Sequence, residues 1–154
     1  MSVEEGKKAP DFAAPTDGAK TLKLSDLRGR PVVLYFYPKD DTPGCTTEAC
    51  GFRDAAPDFK KLKAQIVGVS KDNVARHDKF KAKYGHNFPL VSDEDGKICG
   101  KYGTWIEKSL YGRKYMGIDR ATFLIDKNGV VARIWRKVKV AGHVDEVQAA
   151  LTEL

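Results

Sequence analysis

At 154 residues, with 42% hydrophobic and 31% charged side chains, the chain fits one domain that can bury a core without a disulfide framework. A formal net charge of +6 raises nucleic acid or an anionic membrane surface as partners. However, the lysines of Lys60-Lys61-Leu62-Lys63, Lys79 to Lys83 and Lys137 to Lys139 are interleaved with apolar residues, as on a solvated face, which argues against both.

No apolar run approaches the roughly 20 residues of a membrane span, and the start, Met1-Ser2-Val3-Glu4-Glu5-Gly6, is acidic and polar. A cytoplasmic protein is expected. Its three cysteines therefore read as reactive, metal-binding or buried thiols before they read as structural bridges.

In chain order, a loop at Lys8-Ala9-Pro10-Asp11-Phe12 leads to a short strand over Lys20 to Leu24, and Ser25-Asp26-Leu27 reads as one capped helical turn. Pro31 to Tyr37 is a β-rich run with the look of a central strand buried on both faces. The helix after it is expected to break or kink at Pro57, ahead of the basic segment Asp58 to Ala64. Gln65 to Ser70 is a second buried strand, and Asn73 to Tyr84 an amphipathic helix capped by Asn73.

Phe88 to Ser92 reads as a strand and Gly96 to Tyr102 as a short helix. Arg120 to Asp126 and Val130 to Arg136 flank Lys127-Asn128-Gly129, and Asn-Gly between β-rich runs signals a hairpin. Val144 to Leu151 closes the chain as a helix. Strands alternating with helices, then a hairpin and a helix, predict an α/β domain: a thioredoxin-like three-layer sandwich with a mixed central sheet flanked by helices.

Chemistry concentrates in Pro38-Lys39-Asp40-Asp41-Thr42-Pro43-Gly44-Cys45-Thr46-Thr47-Glu48-Ala49-Cys50. Thr42-Pro43 is a helix-start signature, with a capping residue followed by a proline whose missing amide hydrogen had no partner anyway. Cys45 then falls in the first helical turn, just beyond the carboxyl end of a central strand, where open α/β sheets place their sites. Unpaired amides and the positive end of the helix dipole there favour thiolate, the nucleophilic form of cysteine.

If Cys50 lies on the same helix, the two α-carbons stand roughly 8.6 Å apart. A disulfide needs them within about 7 Å, so the pair could bond only after the helix unwinds. A metal site is not indicated: the five-residue spacing is not that of a zinc ribbon, and His77, His86 and His143 form no ligand cluster. Cys99, in a short helix of its own, reads as structural.

The spacing Pro-x-x-x-Thr-x-x-Cys at Pro38, Thr42 and Cys45 resembles the active-site signature of peroxiredoxins, more narrowly of the bacterioferritin comigratory protein, or Q-type, class. Further matches occur in the right order: Gly51-Phe52-Arg53-Asp54, Phe88 to Asp93, Lys114 to Ile118, Arg120 to Asp126 and Lys137 to Val140. The resemblance implies that the thiolate of Cys45 attacks the O–O bond, that Thr42 hydrogen-bonds peroxide and sulfur, that Pro38 shields the site, and that Arg120 enters from another strand. A fixed guanidinium stabilises the anionic sulfur and the charge developing on the oxygens.

By the same resemblance Cys50 is the resolving thiol, condensing with the Cys45 sulfenic acid to an intramolecular disulfide. The activity so implied is that of a thiol peroxidase for hydrogen peroxide and organic hydroperoxides, working without haem, flavin or metal. It is expected to be monomeric and to be recycled by thioredoxin or glutaredoxin. Two other readings stay open: a thiol-disulfide oxidoreductase, which normally carries a close Cys-x-x-Cys pair, and a redox-sensing or holdase switch, which would be oxidised without turnover.

Overall fold

Five consecutive apolar residues, Val32-Val33-Leu34-Tyr35-Phe36, form a strand buried along its whole length, which requires cover on both faces of its sheet. The computed structural model describes residues 3–154 and supplies that cover. In chain order come β1 (Ala13–Thr16), β2 (Lys20–Lys23), β3 (Val32–Phe36), α1 (Pro43–Lys61), β4 (Gln65–Ser70), α2 (Val74–Tyr84) and β5 (Leu90–Ser92). Then come α3 (Lys97–Tyr102), β6 (Trp105–Leu110), β7 (Arg113–Ile118), β8 (Ala121–Ile125), β9 (Val131–Trp135) and α4 (His143–Thr152).

Seven strands make one mixed sheet in the order β2-β1-β5-β4-β3-β8-β9. The β3-β4-β5 core is parallel and β8 runs antiparallel to β3. Strand residues alternate between two cores. Val32, Leu34 and Phe36 join Ile98, Cys99 and Tyr102 of α3 on one face. Val33 and Tyr35 join Cys45, Phe52 and Phe59 of α1, Phe80 of α2 and Val147 of α4 on the other. This is the expected sandwich of mixed sheet and flanking helices.

Several local expectations change. Pro57 lies inside α1 without ending it. A proline leaves the carbonyl four residues back without its helical donor, and Asn87 Nδ2 donates to that carbonyl, on Arg53, at 3.3 Å. The turn near Ser25 is a 3-10 turn over Leu24–Leu27 with no side-chain cap. Asn73 does cap α2, accepting from the Arg76 amide.

The Asn128-Gly129 hairpin is present, but its turn is built around Asp126. Its Oδ1 accepts from the amides of Asn128 and Val130, and Gly129 takes a φ of 81°. Strand β1, Ala-Ala-Pro-Thr, is not predicted because its residues carry little β propensity.

The β6–β7 hairpin, a two-stranded sheet of its own, is likewise unpredicted. Its two-residue turn is Tyr111-Gly112, with φ of 52° and 76°. That is a type I′ geometry, which normally selects Asn-Gly or Asp-Gly. Left-handed backbone costs an L-residue roughly 1–2 kcal/mol, so Tyr111 occupies this position at some strain.

Candidate active site

Between β3 and α1 the chain passes through Tyr37 to Thr42, and two acids tie this loop to α2. Asp40 is buried, and accepts from Tyr37 Oη (2.6 Å) while Nδ1 of buried His77 lies 2.6 Å from its other oxygen. The Asp40 amide donates to Asp72 Oδ2 at 2.8 Å. Asp41, in left-handed backbone at φ 59°, accepts from Lys83 Nζ at 2.8 Å and Tyr84 Oη at 2.6 Å.

The second ring nitrogen of His77 lies 2.9 Å from the Val91 carbonyl. Both ring nitrogens thus face acceptors, an arrangement that favours hydrogen on both. Burial works against that charge, but the hydrogen bond and charge of Asp40 outweigh it and raise the pKa of His77 above the usual histidine value. Asp40, Asp72 and His77 approach one another closely enough to resemble a metal cluster. Their bonds to one another and to the loop backbone make the group a hydrogen-bonded latch.

Thr42 occupies the N-cap position of α1 with extended backbone, and Pro43 is the first helical residue. The threonine hydroxyl does not cap the helix; it donates to the Lys39 carbonyl at 2.9 Å, and its lone pairs remain available to accept a hydrogen. The first turn's bond, from the Thr46 amide to the Thr42 carbonyl (2.8 Å), leaves the Gly44 and Cys45 amides ahead of the helical ladder.

Cys45 is buried in this turn, and Arg120 Nη2 lies 3.4 Å from its sulfur. Arg120 reaches across from the start of β8, and glycine at 44 makes room for it: a β-carbon there would sit 3.1 Å from Nη2. Pro38 is exposed, two residues past the end of β3.

Glu48 holds the far side of the guanidinium, Oε1 to Nη1 at 2.7 Å. One helical turn past Cys45, it lies on the same face of α1. It is fully buried, and Oε2 has no hydrogen-bond partner among the described residues. Burial pushes its pKa up to about 7 against the lowering influence of Arg120. The folded protein therefore holds a proton that the unfolded chain releases above about pH 4.5, and stability drains away as pH rises from there through about 7.

Glu48→Gln is expected to lose that slope, a difference on the order of 3 kcal/mol at most across the window. Urea unfolding of both proteins over this pH range measures it; parallel curves would refute the assignment.

The structure brings Cys45 and Arg120 together and keeps Cys50 apart, half-buried further along the intact α1. Cys99 belongs to the core on the opposite face of the sheet. Burial, then the hydrogen bond and charge of Asp93, push its pKa up to about 12, the state of an inert thiol. Sequence reasoning missed Gly44, Glu48, Asp40 and His77. Two signals were available: the Cys45-x-x-Glu48 helical spacing, and a glycine inside a helical turn, where it is ordinarily disfavoured.

Residues 5–134 match the AhpC/TSA family. A putative peroxiredoxin Bcp of Coxiella burnetii is 54% identical over 151 residues, 98% of this chain and 100% of that one. The peroxiredoxin Bcp of Bacillus subtilis is 49% identical, over 100% of this chain and 98% of the relative. Among solved structures, a cysteine-to-serine mutant of Xylella fastidiosa PrxQ superposes with a TM-score of 0.94 at 39% identity, over 99% and 98% of the two chains. The bacterioferritin comigratory protein of Xanthomonas campestris, whose trapped-intermediate and ligand complexes concern alkyl peroxide reduction, gives 0.91 at 45%, over 97% and 98%.

Proposed function

The chain belongs to the AhpC/TSA family, among its Bcp peroxiredoxins, and from that premise we propose that Cys45 is the sulfur that attacks the peroxide, with Thr42, Arg120 and Pro38 shaping its site and Cys50 resolving the product. The protein is a thiol-dependent peroxidase. One contact carries the assignment of roles: Arg120 Nη2 at 3.4 Å from Cys45 Sγ, at the amino end of α1.

The anionic sulfur of Cys45 attacks the near peroxide oxygen. The O–O bond breaks, the far oxygen leaves as hydroxide or alkoxide and takes up a proton, and Cys45 becomes a sulfenic acid. Thr42, its hydroxyl hydrogen already given to Lys39, accepts the peroxide's hydrogen and orients it. The forward amides of Gly44 and Cys45, with Arg120, face the charge that develops on the oxygens.

Cys50 then attacks the sulfenic sulfur and water leaves, forming the Cys45 to Cys50 disulfide. On intact α1 the pair is about 8.6 Å apart at the α-carbons, so this step requires the helix to unwind. Two electrons from a dithiol protein, thioredoxin on our reading, restore both thiols. An intramolecular cycle needs no second subunit, which is consistent with one monomeric domain spanning residues 1–154. Among the described residues no helix is long and apolar enough to cross a membrane, and dependence on a thiol reductant favours the cytoplasm.

Peptide mapping after one equivalent of peroxide, without reductant, is expected to yield the Cys45 to Cys50 linkage, with amide exchange speeded in the first turns of α1. A linkage to Cys99 would reassign the resolving thiol. In Cys50→Ser the first turnover is expected to keep its rate and end in a trappable sulfenic acid.

A further inference from the structure

We propose that the β6–β7 hairpin is the docking platform for the reductant, an acidic dithiol protein that lies across it to reach the Cys45 to Cys50 disulfide; the inference rests on the catalytic cycle proposed for those two cysteines. Of the seven exposed large hydrophobic side chains in the described residues, five belong to this hairpin: Trp105, Leu110, Tyr111, Tyr115 and Met116. Scattered apolar residues need no explanation, but a cluster of this kind marks a contact surface.

Tyr111 stands out within the cluster. Its side chain is 98% exposed while its backbone is held at a φ of 52°. The fold gains no packing from this aromatic ring, and asparagine or glycine would suit the turn better. A strained, fully presented tyrosine is the kind of anchor that protein interfaces use.

Position and charge choose the occupant. Strand β7 runs directly into Asp119 and Arg120, and the Asp119 amide donates to the Thr104 carbonyl at 2.7 Å, fixing the base of the hairpin beside the site. The stem of Lys108 crosses Gly117, where a β-carbon would come within 3.2 Å of Cδ. Burial holds the pKa of its amine below the usual lysine value.

The hairpin carries Lys108, Arg113 and Lys114 against the single acid Glu107, which Lys114 meets at 3.8 Å. Lys71 adds a further cation, 4.1 Å above the Trp105 ring. Two copies of this chain meeting here would set like charges together, whereas an acidic partner is complementary. Once docked, the partner's thiolate attacks one sulfur of the disulfide. Its second thiol then releases the mixed disulfide, so the partner leaves oxidised and both cysteines of this chain are reduced.

The test compares wild type with Leu110→Ser/Tyr111→Ser and with Arg113→Glu/Lys114→Glu, all reducing hydrogen peroxide, with thioredoxin and its reductase or with dithiothreitol as electron source. Each double variant is expected to raise the KM for thioredoxin about tenfold while dithiothreitol-driven turnover stays at the wild-type rate. The charge variant is also expected to lose most of the salt dependence of thioredoxin-driven turnover.

An unchanged KM for thioredoxin in both variants overturns the docking alone. So does an equal loss with dithiothreitol, which would mean a structural role, or wild-type dimerisation that both variants abolish. Wild type driven by dithiothreitol but not by thioredoxin overturns the reductant assignment, and the docking with it. No turnover with either reductant overturns the catalytic cycle itself.

Discussion

Serine at position 45 is expected to bring peroxide reduction down to the uncatalysed background, a loss on the order of four decades or more in kcat/KM, as when a nucleophile is removed from a preorganised site. The fold should survive. Cys45 is one small side chain in a core that also holds Phe52, Phe59, Tyr35 and Val147, and a serine hydroxyl can accept from Arg120 where sulfur did. What disappears is the attacking atom: an alcohol is scarcely ionised where a thiol ionises, and oxygen attacks a peroxide bond far less readily than sulfur does.

Stopped-flow peroxide consumption, alongside a circular-dichroism melt, separates the two effects. Retained turnover in a folded Cys45→Ser protein would remove Cys45 from the mechanism. Turnover retained in that variant but lost on adding Cys50→Ser would transfer the attack to Cys50.

The parts of this site differ in how visibly they are written in the chain. β3, β4 and α2 are legible because burial on two faces produces continuous apolar runs and because Asn73 is a true cap. Cys45 is legible from Thr42-Pro43 and the strand before it. Arg120 is not: nothing local distinguishes an arginine ahead of Ala121-Thr122-Phe123 from a surface residue, and only the wider pattern of motifs selects it. Its meeting with Cys45 depends on β8 lying antiparallel beside β3, a pairing across 75 residues.

Pro57 does not break α1, because the rule for proline is local whereas the repair, Asn87 bonding the Arg53 carbonyl, comes from another segment. The β6–β7 hairpin escapes prediction for a related reason. Its residues carry neither a buried alternating face nor the turn pair a type I′ hairpin favours, since most of them are turned toward solvent. Those absent signals are what set it apart as a surface feature.

Replacing His77 with leucine is expected to cost about 3–5 kcal/mol of stability, because breaking a buried ion pair leaves one charge uncompensated. Asp40 would keep Tyr37 Oη but lose the imidazolium 2.6 Å away, and Asp72, bonded to Ser70 Oγ at 2.7 Å and to Arg76 at 3.3 Å, cannot take its place. The sign of the pH dependence is set by the raised pKa of His77. The imidazolium contributes its full stabilisation below the unfolded value near 6.5, and that contribution is lost as pH rises through the folded value.

The gap between wild type and His77→Leu in urea unfolding is therefore expected to be wide at about pH 6 and narrower at higher pH. An equal gap throughout would mean that His77 is neutral in the folded protein. The functional consequence runs through the backbone. Asp40 lies between Pro38 and Thr42, so releasing it from α2 loosens the loop that positions the threonine hydroxyl and the start of α1. Peroxide kcat/KM should fall about tenfold in the folded variant, the scale of a positioning defect, while Asp40→Asn, which retains an acceptor for Tyr37, should lose less. A loop that kept full activity in His77→Leu would show Asp41, held by Lys83 and Tyr84, to be a sufficient anchor on its own.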